Sequence, residues 1–105
     1  MLESYYQAQL IKKLRDLFPG CVILKNDSSY LQGVPDLTIL YGLMWAMLEV
    51  KVSAEAREQP NQRYYVEKLN EMSFASFIYP EIEEEVLREL QQAFEPQGHP
   101  RVSKR

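Results

Sequence analysis

Gly33-Val34-Pro35-Asp36-Leu37-Thr38-Ile39-Leu40-Tyr41-Gly42-Leu43-Met44-Trp45-Ala46-Met47-Leu48-Glu49-Val50-Lys51-Val52 is the stretch that decides how this chain folds. Two apolar segments are broken only by Gly42, a pattern suited to a β-hairpin at the centre of a sheet. With Gly42 and Leu43 as the turn, and glycine in the first central position that a II′ turn favours, Tyr41 pairs with Met44, Ile39 with Ala46 and Leu37 with Leu48. Those pairs make one face continuously apolar, ready to pack on a helix. The opposite face pairs Leu40 with Trp45, Thr38 with Met47 and Asp36 with Glu49. Lys51 joins them, because side chains two residues apart share a face.

Two carboxylates directly opposed across a strand pair lie about 5 Å apart at their Cβ atoms, and like charges placed so destabilise the pair. A divalent cation would remove the conflict: Mg²⁺ takes oxygen ligands at about 2.1 Å and typically uses one or two carboxylates plus waters and substrate phosphate. Lys51 could then position or deprotonate an attacking water and stabilise the charge of a pentavalent phosphate. Two other readings remain open at this level: a structural ion network in which Lys51 simply neutralises the acids, or a different register in which Asp36 shapes a turn after Pro35.

Working outward, residues 4–18 place Tyr6, Leu10, Leu14 and Leu17, flanked by Ile11 and Phe18, at spacings of three and four, which predicts a helix ended by Pro19-Gly20. Cys21-Val22-Ile23-Leu24 reads as a short buried strand, followed by a loop at Asn26-Asp27-Ser28-Ser29. After Lys51 a polar linker runs to Gln59. Pro60 suits the first turn of a helix over 60–72, with Tyr65, Leu69 and Met72 inward. Residues 73–79 read as a last strand. Pro80 opens a final helix whose stripe of Ile82, Val86, Leu90 and Phe94 lies opposite Glu81, Glu83, Glu84, Glu85 and Glu89. The order helix, strand, hairpin, helix, strand, helix predicts an α/β fold: a small mixed sheet of about four strands flanked by helices, in one domain over 1–94. Residues 95–105 lack apolar periodicity and read as a mobile basic tail.

The bulk numbers bound the function. A chain of 105 residues with 46% apolar content supports one real core and leaves no room for a second catalytic domain. So small a domain gains from self-association, which favours a dimer. The net charge of −3 argues against a protein that holds nucleic acid by bulk electrostatics alone. The tail carries Arg101, Lys104 and Arg105 against Glu95, so the preceding residues are more acidic still, and any affinity for DNA must come from local patches. Cys21 is the only cysteine, which excludes an internal disulfide or a Cys/His zinc cluster and suits a reducing, cytoplasmic context. The first residues do not read as a signal peptide, and no apolar run approaches the ~20 residues of a membrane span, so a soluble protein is expected.

Gly33-Val34-Pro35-Asp36-Leu37, followed by Glu49-Val50-Lys51, resembles the signature of the PD-(D/E)XK nuclease superfamily. Within it the chain looks most like the stand-alone VRR-NUC branch, with Glu3 matching a glutamate early in the first helix and Gln62 a glutamine on the helix after the lysine strand. The match covers roughly Glu3 to Tyr79. It departs from the family's pattern at the apolar Leu43-Met44-Trp45 turn and at Arg57-Glu58-Gln59-Pro60-Asn61-Gln62. The resemblance implies a restriction-endonuclease-like core and Mg²⁺ or Mn²⁺ held by Asp36, Glu49 and the Val50 carbonyl. It further implies Lys51 at the nucleophilic water, Glu3 as an accessory or second-metal ligand, and Gln62 supporting the phosphate or Lys51.

Other residues carry weaker signals. Lys25 and Asn26, at the end of the first strand, are placed either to touch a phosphate or to face solvent. Tyr30 suits base stacking or anchoring of its own loop. Arg57, Arg63 and Lys68 form either a basic rim for a DNA backbone or an ordinary solvated surface. His99 and Cys21 have no partners that would make them ligands or nucleophiles. The expected function is a metal-dependent DNA endonuclease, a homodimer if it is to cut two strands, with branched or Holliday-junction DNA among the substrates the resemblance implies. The alternatives are a catalytically inactive nuclease-fold module for DNA binding or assembly, and a nuclease-fold subunit regulated by a protein partner.

Overall fold

The computed structural model describes residues 1–95. The tail expectation therefore lies, apart from Glu95, outside the described residues, as does His99. The elements are α1 (Glu3–Leu17), β1 (Val22–Lys25), β2 (Leu37–Tyr41), β3 (Met44–Val50), α2 (Gln62–Met72), β4 (Phe74–Ile78), a 3₁₀ turn (Pro80–Ile82) and α3 (Glu83–Ala93). They form one four-stranded mixed sheet in the order β1-β2-β3-β4, the first three strands antiparallel and β4 parallel to β3. The element order and the mixed α/β class are those expected from the sequence.

The hairpin register is also the expected one: Leu37 faces Leu48, Ile39 faces Ala46 and Tyr41 faces Met44. Gly42 has φ +62° and Leu43 does not share the positive φ, as a II′ turn requires. Leu37, Ile39, Ala46, Leu48, Val50 and Ile78 point to one side of the sheet. There they bury against Tyr6, Leu10, Leu14 and Phe18 of α1 and its end, and against Val86, Leu90 and Phe94 of α3. At one end of this core the rings of Phe18, Tyr41 and Phe94 form a cluster with centroids 5.1–5.7 Å apart. The other side of the sheet is covered only over β3 and β4, by α2.

Five details differ from expectation. The first strand is an edge strand, not a buried one: Val22 and Leu24 are 51% and 46% exposed, because no helix covers that half of its outer face. Helix α2 begins at Gln62 rather than Pro60, since Asn61 takes a left-handed φ of +71° and the chain turns there before the helix can start. Met72, expected inward, is 65% exposed, and Val66 is the residue of α2 that is buried. Leu17 likewise turns outward while Phe18, one residue on, fills the core. Pro80 opens the 3₁₀ turn, and the α-helix proper starts at Glu83.

Candidate active site

The polar side of the hairpin becomes a site because of what happens just before β2. Extending the register one step past Leu37 brings Asp36 opposite Glu49, and the next step brings Pro35 opposite Val50. Proline has no N–H, so it cannot donate to the Val50 carbonyl. The Val50 N–H is instead bound by the carboxylate of Asp36, with Oδ2 accepting at 2.8 Å. One side chain thus finishes the ladder, and a backbone carbonyl at the strand end is left without its usual donor.

Asp36 is itself held from the β1 side. The Asn26 N–H donates to the Asp36 carbonyl at 2.8 Å, and the Asn26 side-chain amide donates to the Pro35 carbonyl at 2.9 Å and to Thr38 Oγ1 at 2.8 Å. Both carbonyls flanking the Asp36 Cα are therefore clamped by one residue. Asn26 is thus no free loop edge, one of the two roles its sequence position suggested: it is half-buried and positions Asp36. The pairing of Lys25 with Leu37 puts Asn26 next to Asp36, so a second register, for β1 on β2, would have found it.

Glu49 and Lys51 lie on the α2 side of the sheet, and both are buried, at 2% and 7% exposure. Their charged ends are 3.7 Å apart. Gln62, the first residue of α2, ties them together: its Nε2 donates to Glu49 Oε2 at 3.0 Å while its Oε1 accepts from Lys51 Nζ at 2.8 Å. The Lys51 ammonium also donates to the Arg57 carbonyl at 3.0 Å, and the Gln59 N–H donates to Gln62 Oε1 at 2.8 Å. The 52–61 loop therefore folds around the lysine. No sequence signal pointed to the Arg57 carbonyl, because a backbone acceptor in an aperiodic loop carries no residue-type signature.

The other oxygen of Glu49, Oε1, is buried and accepts no hydrogen bond, and the Glu49 and Asp36 carboxyls can hydrogen-bond to each other only when one of them is protonated. An unpaired carboxylate oxygen in such a place is costly. Burial first, and then the nearby charge of Asp36, push the Glu49 carboxyl up to about 8, against the opposing pull of Lys51. Glu3, on the first turn of α1, is itself shifted upward by burial and by Asp36, which places it within the field of the same acids. Among the described residues no three His, Cys, Asp or Glu side chains are grouped closely enough to hold one ion. The direct donors the chain offers are therefore Asp36, Glu49 and the Val50 carbonyl, with Glu3 further out. That set fits a hard divalent cation that keeps several waters, and the orphaned Glu49 oxygen is the atom that would gain from it.

No protein-family model matches the chain, and no curated protein or solved structure matches it significantly.

A functional reading rests on these residues. Gly33 adds one more constraint. Its φ is +93°, and a Cβ there would sit 2.6 Å from the Asn61 Cβ, so only glycine lets the strand carrying Asp36 pass against the start of the helix carrying Gln62. Of the weaker sequence candidates, Lys25, Tyr30 and Lys68 face solvent, and Arg63 is engaged with Glu58 and Phe77.

Proposed function

We propose that this chain is a divalent-metal-dependent DNA endonuclease that hydrolyses phosphodiester bonds. The observation that carries the reading is the buried, unpartnered Glu49 oxygen beside Asp36, on a face that also buries the ammonium of Lys51. Asp36, Glu49 and the Val50 carbonyl would hold Mg²⁺ or Mn²⁺, which when bound neutralises the two acids and polarises the phosphate. Lys51 orients the attacking water and stabilises the charge that grows on the phosphate oxygens. Gln62 fixes the distance between Lys51 and Glu49 and keeps the lysine from folding away. Asn26 and the Val50 N–H fix Asp36.

A single compact site cuts one strand at a time, so cutting both strands of a duplex or a four-way junction calls for two copies, and a homodimer belongs to the reading. Labelled single-stranded, linear duplex, flap and four-way DNA, incubated with wild type and Lys51→Ala in Mg²⁺ or Mn²⁺, tests it. The wild type should cut at least one substrate, and the variant should bind that substrate without cutting. Intact DNA in every lane sinks the proposal.

One observation favours the alternative of a non-cutting module: Lys51 is already hydrogen-bonded to Arg57 and Gln62. Calorimetry separates the two readings. A working centre binds Mn²⁺ and loses most of that binding in Asp36→Ala, whereas a module is indifferent to both.

A further inference from the structure

Past Lys51, the same side of the sheet opens into a half-open cavity of about 240 Å³, walled by the 53–58 loop, the start of α2 and the end of β4. None of the roles assigned above uses it. Its most unusual wall is Arg63. The guanidinium lies over the ring of Phe77, 4.9 Å from the centroid, and Glu58 grips its edge, with Nε donating to Oε1 at 3.2 Å and a second contact from Nη2 to Oε2. A flat cation pinned on one face and one edge is a prepared platform, and the Arg63 side chain remains 60% exposed.

The chemistry of this platform selects its ligand. Flat heteroaromatic rings stack on guanidinium planes, and Ser53 and Tyr79, both hydroxyl-bearing residues, line the same cavity. The volume is below the about 300–1,000 Å³ of pockets that take drug-sized ligands, so it suits one ring system and not a base pair. Lys51 lines the same cavity, so a ring held there belongs to a nucleotide close to the phosphate being cut.

We propose that this cavity is a base-binding subsite in which an unpaired nucleobase, adjacent to the scissile phosphate, stacks on the exposed face of Arg63. The inference rests on the phosphodiesterase reading for the identity of the strand. It adds a substrate class: a base inside a duplex reaches the cavity only after unstacking, which costs a few kcal/mol, so single-stranded, flap and mismatched DNA are preferred over perfect duplex.

The test is equilibrium binding of the Asp36→Asn full-length chain, without metal and at low salt, to a short single-stranded oligonucleotide and to a set in which each position in turn is abasic. One abasic position should weaken binding about five- to hundredfold while the others change little. In the Arg63→Lys background, which keeps the charge and loses the plane, that one-position sensitivity should vanish. Ala54→Trp, placed on an exposed part of the cavity wall, should block the subsite without touching the sheet or Arg63. Equal losses at every abasic position, full sensitivity in Arg63→Lys, or no binding of any oligonucleotide overturns the subsite. Because no cutting is measured, this result is independent of the cleavage panel that decides the nuclease reading.

Discussion

The two faces of the β2–β3 hairpin are made by alternate residues of the same strands, yet they serve opposite ends. On one, Leu37, Ile39, Ala46 and Leu48 are fully buried under α1 and α3. On the other, Glu49 and Lys51 are buried almost as deeply, and there burial works against the charges it encloses. The contrast teaches that burial alone does not identify a core. The apolar face stabilises the fold, and the charged face draws on that stability to hold an arrangement that would not assemble by itself.

The largest effect should come from breaking the charged face. Asp36→Asn keeps an acceptor for the Val50 N–H but removes the charge, so cutting should fall at least about a hundredfold, while above about pH 8, where Glu49 is ionised as well, the metal-free protein melts no lower than wild type because a like-charge conflict is relieved. A gel assay and a thermal melt on the same preparation read both quantities. Substituting the apolar face should do the reverse. Leu48→Ala removes a fully buried side chain beneath the helices and should cost about 2–5 kcal/mol in urea denaturation, with activity lost only as far as folding is lost.

The charged face should also reveal itself through pH. Glu49 holds its proton up to about 8 in the folded chain, and a carboxyl in the unfolded chain releases it near the ordinary value of 4.5. The folded state therefore binds the proton more tightly, and the stability this contributes is full below about pH 4.5 and lost as pH rises to about 8. The metal-free protein should be less stable at pH 8.5 than at pH 5.5, by an amount on the order of a few kcal/mol. Glu49→Gln should flatten that dependence. A wild-type melt that climbs across this interval would contradict the assignment. Smaller again is Gly33→Ala, where a strained φ and the contact with Asn61 should cost about 1–3 kcal/mol and weaken Mn²⁺ binding by displacing Gln62.

How much of this was legible in the sequence follows the same division. The hairpin register came from Gly42 and strict alternation, and it carried Asp36, Glu49 and Lys51 to one face with it. Period and turn chemistry are local, so a single chain displays them. What stayed hidden depends on tertiary placement: the Asn26 clamp on the Pro35 and Asp36 carbonyls, the Arg57 carbonyl that captures Lys51, and the left-handed Asn61 that delays α2 past Pro60. The apolar Val22, Ile23 and Leu24 predict a buried β1, but an edge strand without a helix above it leaves Val22 and Leu24 in water. Apolar character shows what a strand can bury; which neighbour covers it is decided elsewhere in the chain.

That uncovered edge gives the smallest and last of the expected effects. Val22, Leu24 and Leu40 are 51%, 46% and 40% exposed on the half of the charged face that α2 does not reach. In an isolated chain, Leu24→Thr keeps a strand-forming side chain and removes little buried area, so it should change stability by no more than about 0.5 kcal/mol. Denaturation at low protein concentration should show this, against the far larger loss at Leu48 on the opposite face. Repeating it at high concentration sharpens the comparison. If a second copy covers this edge, Leu24→Thr becomes more costly as concentration rises, since association stabilises the folded chain by mass action. A difference that stays flat across concentrations places any dimer contact on another surface.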